Sequence, residues 1–120
     1  MVKDSIGEAI IHYALNVKFE DLDQQVINEV KRRVLDSLGV ALAAFMAEPV
    51  KIARNVAKGH RSSAEATLWG TLDTSSIEWA VFTNALMVRY LDYNDTYLSK
   101  EPLHPSDMIP ALFAAAEYRG

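Results

Sequence analysis

The sequence predicts an all-α fold. Apolar residues recur at three- and four-residue intervals along most of the chain, and residues that commonly begin helices precede these runs. A single segment, from Ala66 to Trp69, lies between polar stretches and indicates a brief extended strand. Half of the 120 residues are hydrophobic and 23% are charged, which is typical of a folded globular chain.

Two helices are predicted in the first half of the chain. The first begins at Ser5, because Ser5 and Glu8 have the spacing of a capping box before an apolar stripe. The second begins at Asp21 and keeps the same period as far as Pro49, which ends it. Its second half, residues 38–46, is apolar on nearly every face. A helix of that kind is normally buried on all sides, but 120 residues supply few elements to surround it, so we expect part of it to lie in water.

Three shorter helices complete the predicted fold. The third follows the proline that ends the second, and it is predicted to end at Gly59 in the left-handed conformation of a helix C-cap. The fourth begins with a capping box formed by Ser75 and Glu78. The last begins near residues 106–107 and holds Pro110 in its first turn, where a proline is tolerated.

Charge and cysteine content narrow the class of function. The net charge is −4, which argues against non-specific binding to nucleic acid or to an anionic membrane. The absence of cysteine excludes disulfides and thiolate metal sites. The start of the sequence lacks the apolar core of a signal peptide, and no apolar run reaches the length of a membrane span. We therefore expect a cytoplasmic protein.

One local stretch is basic in this acidic chain. A run of this kind usually forms a solvated helix face, and the alternative is a rim that binds an anion. The residues concerned are Lys51, Arg54, Lys58, His60 and Arg61.

Polar residues crowd the end of the fourth predicted helix. Asp92 continues the apolar stripe, so if the helix persists its carboxylate is directed toward the packed side and needs a partner or a raised pKa. Thr96 is one helical turn later, which would bring its hydroxyl beside that carboxylate. The neighbouring residues either bind a ligand or merely terminate the helix, and they are Asn94, Asp95 and Tyr97.

His104 is the main candidate for proton transfer. It lies between two prolines that fix the local backbone, and an imidazole titrates near neutral pH, although many loop histidines have no such role. Ligation of a metal by His104 with Asp92 and Asp95 matches no recognised spacing, so we expect no metal. Ser106 is interpreted as the cap of the last helix rather than as a nucleophile. The sequence has no phosphate-binding loop.

Four strings of residues resemble the MmgE/PrpD family, in the family's order. The longest match is the family's paired signature, which is Asp92-Tyr93-Asn94-Asp95-Thr96-Tyr97 followed by His104-Pro105-Ser106-Asp107 in this chain. The upstream matches are Asp36-Ser37-Leu38-Gly39 and Ala66-Thr67-Leu68-Trp69-Gly70. The resemblance spans nearly the whole chain.

The resemblance implies a homodimeric lyase-type enzyme with a large all-α domain and a smaller α/β domain, needing no metal or organic cofactor. Residues 1–120 are then the amino-terminal part of the all-α domain, and lysines of the family's active site lie farther along. The implied catalytic residues are Asp92, Thr96 and His104, and the implied substrate-binding neighbours are Asn94, Asp95 and Tyr97.

The reaction that the resemblance favours is the elimination of water from a small tricarboxylate, 2-methylcitrate. His104 and Asp92 would transfer the protons, with the acid and base roles open, while Thr96 would donate a hydrogen bond to a substrate oxygen. The residues near Asn94 and Asp107 look closer to the dehydratases than to the decarboxylases. Decarboxylation of cis-aconitate and epimerisation of iminodisuccinate are the alternatives within the family.

A different class of function is also open for this chain alone. The apolar half of the second helix favours a non-catalytic helical module that assembles through exposed apolar faces. We expect a homodimer or another form of self-association, and neither nucleic acid nor membrane as a partner.

Overall fold

The computed structural model describes residues 5–63 and 65–120, and it confirms the all-α class. Within those residues the helices are α1 (Ser5–Asn16), α2 (Gln24–Ala43), α3 (Glu48–Lys58), α4 (Ile77–Arg89) and α5 (Ile109–Arg119). Short 3₁₀ turns occupy Phe19–Asp21 and Pro105–Met108. None of the helices in the two described ranges is long and apolar enough to cross a membrane.

The predicted extended segment is one half of a small antiparallel hairpin. Strand β1 (Glu65–Thr67) pairs with β2 (Thr74–Ser76), and Ala66 lies opposite Ser75. The second strand is not predicted by the sequence, because Ser75 has the spacing of a helix start. The side-chain amide of Asn84 on α4 holds the hairpin, donating to the carbonyl of Thr67 (2.9 Å) and accepting from the backbone N–H of Trp69 (3.0 Å).

The chain forms two compact units, residues 1–31 and residues 32–120. In the first unit, α1 has no buried residue, and its apolar side chains are exposed. The helix α2 begins in this unit with Asp23 as its cap, because the Asp23 carboxylate accepts from the backbone N–H of Val26 (2.8 Å). The prediction of Asp21 was wrong by two residues, since the Asp21 carboxylate instead accepts from the backbone N–H of Lys18 (2.9 Å).

The second unit contains the hydrophobic core. One cluster of buried residues joins the end of α2 to α3, α4 and α5 and comprises Ala41, Ala44, Val50, Trp69, Met87, Val88 and Ile109. A second cluster lies around the hairpin and is built mainly from small side chains, namely Ala57, Ala66, Leu68, Ala80 and Ala114. The alanines allow α3, α4 and α5 to approach the hairpin closely.

The apolar half of α2 is not covered on all sides. Ala41 and Ala44 are buried, but Leu42 is 54% exposed and Met46 is 66% exposed. This agrees with the expectation that a chain of 120 residues leaves part of that half in water, because the helix packs through one face and leaves the other open.

Two predicted helix ends differ from the structure. Gly59 has φ −83° and ψ −7°, which is right-handed backbone rather than the left-handed cap that was predicted. Ser75 lies in β2, with its hydroxyl 2.6 Å from the carbonyl oxygen of Ala57 and 2.8 Å from that of His60. The capping box was therefore wrong, because the Ser75 hydroxyl ties the hairpin to α3, while Ser76 precedes α4 without a side-chain cap.

Candidate active site between the last two helices

The helix α4 ends at Arg89, before it reaches Asp92. Asp92 adopts φ 53°, a left-handed conformation that ends the helix and that aspartate tolerates better than most residues. Its side chain is 81% exposed, and one carboxylate oxygen is 3.6 Å from an Arg89 nitrogen. The prediction that Asp92 faces the packed side was therefore wrong, and so was the helical turn expected to carry Thr96 beside it.

Asn94 is buried and connects the end of α4 to the turn that precedes α5. Its side-chain oxygen accepts a hydrogen bond from Arg89 (2.8 Å), and its amide nitrogen donates to the hydroxyl of Ser106 (2.9 Å). Ser106 is fully buried and does not cap α5, contrary to the prediction. Its hydroxyl is used instead to fix the loop after α4.

Asp95 carries the most constrained carboxylate of the site. One oxygen is paired with Arg33 of α2, and the other accepts the backbone N–H of Ser106 at 2.9 Å. The side chain is only 8% exposed. Burial raises the pKa of Asp95, but the hydrogen bonds from Ser106 and the guanidinium of Arg33 outweigh it and hold the pKa below its ordinary value.

His104 is fixed through one ring nitrogen. Its Nδ1 lies 2.6 Å from the backbone carbonyl oxygen of Asp95 and 3.5 Å from the hydroxyl oxygen of Thr96. Because a carbonyl oxygen only accepts, Nδ1 must donate and must carry a proton. In the neutral ring Nε2 then has a free lone pair, so this nitrogen can take up a proton and, once charged, return it.

A backbone bridge brings His104 to this position. Tyr97 and Leu103 exchange two hydrogen bonds, the N–H of Tyr97 to the oxygen of Leu103 (2.8 Å) and the reverse (3.1 Å). The bridge closes residues 98–102 into a loop and returns the chain beside Asp95 and Thr96. The Tyr97 side chain is exposed.

The structure thus brings together Thr96, His104, Asp95 and Asn94, while Asp92 extends into solvent beside Arg89. The side chains of Asn94 and Asp95 already have protein partners, which argues against direct substrate binding by either. Their assignment as substrate-binding residues, and the catalytic assignments of Asp92, Thr96 and His104, stay predictions.

Two arginines of the site were not assigned from the sequence. Arg33 is 62 residues before its partner Asp95, and no local pattern indicates that pairing. Arg89 bonds Asn94, and its Nε is 3.7 Å from the carboxylate of Asp107. Its position three residues before the signature was a signal that could have suggested a role in fixing the loop.

Three residues of the basic stretch, Arg54, Lys58 and Arg61, have partners within the protein. Arg54 donates to the carbonyl of Phe45 (2.7 Å) and its guanidinium lies 3.7 Å from the centre of the Phe45 ring. Lys58 pairs with Asp73 (2.8 Å), and Arg61 pairs with Glu65 (2.8 Å). These contacts give no support to an anion-binding rim. In the part of the chain that the structure describes, no group of three or more histidines or carboxylates is arranged to hold a metal ion.

The fold and the site define an all-α domain that holds a histidine in a fixed orientation on the loop between its last two helices. The chain belongs to the MmgE/PrpD family, because residues 8–120 match the model of the MmgE/PrpD N-terminal domain.

The proteins similar to this chain are named for two different activities. Human cis-aconitate decarboxylase is 31% identical over 119 residues, which are 98% of this chain and 24% of that protein. The 2-methylcitrate dehydratase of Cupriavidus necator is 33% identical over 116 residues, 96% of this chain and 24% of that protein. The 2-methylcitrate dehydratase of Salmonella typhimurium is 29% identical over 110 residues, 91% of this chain and 22% of that protein. The chain therefore spans about a quarter of the length of these relatives.

Proposed function

We propose that this domain contributes His104 and Thr96 to the active site of a lyase that removes water from a small tricarboxylate such as 2-methylcitrate. Membership of the family and the dehydratases among the relatives support the reaction class. The observation that carries the proposal is the contact between His104 Nδ1 and the Asp95 carbonyl, since it leaves Nε2 available for proton transfer. The other residues of such a site would come from the part of the relatives' length that this chain does not span.

Dehydration requires two proton transfers. A C–H bond next to a carboxylate breaks, its proton passes to a base, and the electron pair forms the new carbon–carbon double bond as the C–O bond breaks. The departing hydroxide takes a proton from an acid and leaves as water. His104 can fill either role through Nε2, and the exposed carboxylate of Asp92 is the second candidate.

Thr96 is suited to hold a substrate oxygen. Because Nδ1 of His104 carries a proton, it cannot accept a hydrogen bond from the Thr96 hydroxyl, whose oxygen lies 3.5 Å away. The hydroxyl proton of Thr96 is then free to donate to a carboxylate or hydroxyl of the substrate, which would orient the bond to be broken.

Decarboxylation of cis-aconitate is the second candidate. A dehydratase and a decarboxylase match the chain with similar identity, 33% and 31%, so similarity alone does not separate them. Both reactions develop negative charge beside a carboxylate, which the same pocket would stabilise. Epimerisation of iminodisuccinate makes a similar demand. Assays of protein from the complete reading frame with all three substrates would distinguish these activities.

Replacement of His104 tests the proposal directly. In protein expressed from the complete reading frame, His104→Ala should lower kcat by roughly 10²-fold or more, because the proton-transfer group is lost. The matched control is His60→Ala, since His60 also has Nδ1 near a backbone carbonyl, that of Val56 (2.8 Å), but lies in the exposed basic stretch. Turnover like that of the wild type in His104→Ala would contradict the proposal.

A non-catalytic association module remains the candidate of another class, because α1 exposes its apolar side chains. Sequencing the reading frame past Gly120 separates the two functions. A stop codon there would favour the module, and further helical and α/β sequence would favour the enzyme.

A further inference from the structure

Asp95 connects three segments of the chain at one point. Its carboxylate pairs with Arg33 of α2 through one oxygen and accepts the backbone N–H of Ser106 through the other, at 2.9 Å. Its own backbone carbonyl accepts the Nδ1–H of His104 at 2.6 Å. The same residue therefore anchors the loop and supplies the acceptor that orients the imidazole.

We propose that Asp95 is a positioning residue that fixes the tautomer and orientation of His104, and thereby selects Nε2 as the nitrogen that exchanges a proton. The catalytic consequence rests on the proposed function, whereas the tautomer itself does not.

The contacts of the Asp95 carboxylate determine the direction of the Asp95 backbone carbonyl. Since both carboxylate oxygens are held, one by a helix and one by the turn that precedes α5, the backbone of Asp95 has little freedom to rotate. Its carbonyl oxygen therefore stays directed at Nδ1 of His104. If the carboxylate were released, the peptide could rotate, and His104 would be free to exchange its tautomer.

Binding of substrate by the Asp95 side chain is the competing role. It is disfavoured because the carboxylate is 8% exposed and both of its oxygens already accept from the protein.

The charged groups around this point come from α2, from α4 and from the segments between α4 and α5. Arg33 of α2 pairs with Asp95 directly. Arg89 of α4 reaches the same loop through Asn94, and it also lies near Asp92 (3.6 Å) and Asp107 (3.7 Å). Replacement of Asp95 therefore changes the charge next to Arg33 without removing the contacts of Arg89.

The test is Asp95→Asn in protein from the complete reading frame. Asparagine keeps the shape but has a single acceptor oxygen, so either Arg33 or the Ser106 N–H must face the new amide group. We expect kcat to fall by about 10-fold or more while KM changes by less than about 2-fold, because Asp95 orients His104 and does not touch the substrate. The control is Asp73→Asn, which removes an aspartate paired with Lys58 in the hairpin and should change neither value.

A spectroscopic measurement tests the tautomer independently of activity. In protein labelled with ¹⁵N-histidine, with His104 assigned by its loss in His104→Gln, the wild type should show the neutral ring protonated at Nδ1. Asp95→Asn should show a mixture of the two tautomers, and Asp73→Asn should match the wild type. If the wild type and both variants show these tautomers but no dehydration is measured, the proposed function fails and the positioning role stands.

Three results would overturn the positioning role. These are an Nε2-protonated ring in the wild type, an unchanged tautomer in Asp95→Asn, or a raised KM with an unchanged kcat, which would indicate substrate binding. If Asp95→Asn does not fold, Arg33→Lys keeps the charge but loses the planar guanidinium, and it should lower kcat and mix the tautomers in the same direction. An unchanged kcat and tautomer in Arg33→Lys would then count against the proposal.

Discussion

Thr83 of α4 has a fully buried hydroxyl with no hydrogen-bond partner among the residues that the structure describes. A buried polar group left in this way destabilises the fold by about 1–3 kcal/mol. We therefore expect Thr83→Val, which replaces the hydroxyl by a methyl group, to raise the free energy of unfolding by about 1 kcal/mol in urea. Thr71→Val is the matched control and should lower it, because the Thr71 hydroxyl donates to the carbonyl of Leu68 (2.7 Å). A less stable Thr83→Val protein would contradict the expectation.

The lowered pKa of Asp95 predicts a response to acid. Since its pKa is lower in the folded chain than in the unfolded one, ionised Asp95 stabilises the fold above the ordinary aspartate value of about 3.9, and this contribution is lost as the pH falls below it. The free energy of unfolding should therefore decrease less between about pH 6 and about pH 3 in Asp95→Asn than in the wild type. An equal decrease in both proteins would exclude Asp95 from the acid response.

At the scale of single residues, the sequence predicted which loop holds the candidate site residues but not the contacts of that loop. His104 and Asp95 were selected because proline, histidine and carboxylates cluster there and because the run resembles a family signature. The pair formed by Asp95 and Arg33 could not be predicted from the sequence, since two residues separated by 62 positions meet only through tertiary packing. Asp92 was misplaced because a helical stripe was extended past the residue at which the helix ends.

The turn of the hairpin has a backbone conformation that favours glycine. Gly70 has φ +78°, and a Cβ added there would lie 2.8 Å from a ring carbon of Phe45. A residue other than glycine loses about 1–2 kcal/mol in this left-handed conformation, and the contact adds to that loss. Gly70→Ala should therefore lower the melting temperature.

Gly39→Ala, within α2, is a control that should change the melting temperature in the opposite direction. A Cβ at Gly39 meets no atom within 4 Å, and alanine favours a helix interior over glycine by about 1 kcal/mol. Gly39→Ala should raise the melting temperature in the same thermal unfolding experiment. A Gly70→Ala protein that melts at or above the temperature of the wild type would show that the hairpin turn relaxes without loss.

At the scale of elements, the existence of the five helices was predictable because each has a long apolar stripe. The positions of the helix ends were less predictable, because a side chain near the start of a helix can bind partners other than the helix backbone. The hydroxyl of Ser75 contacts the carbonyls of Ala57 and His60 rather than the start of α4. The second strand exists because Ser75 belongs to the hairpin instead of starting α4, and no separate pattern in the sequence indicates that strand.

For the whole molecule, exposed apolar side chains predict self-association of the chain. Within the second unit, Pro49, Ile52, Val56, Trp79, Phe82 and Leu86 are among the residues lining an apolar groove of about 470 Å³ on α3 and α4. Burial of apolar area contributes about 25 cal/mol per Å², so copies of the chain gain by covering such a surface. Light scattering should show a mass above that of the monomer which increases with concentration.

Charge placed in this groove should reverse that association. Phe82→Lys removes an exposed ring and adds a charge that would have to be desolvated, so its scattering mass should move toward the monomer. Leu72→Lys is the matched control, because Leu72 is fully exposed on the hairpin and does not line the groove, and it should associate like the wild type. If the wild-type chain remains a monomer at every concentration, its exposed apolar surface is tolerated in water, and the association module loses its physical basis.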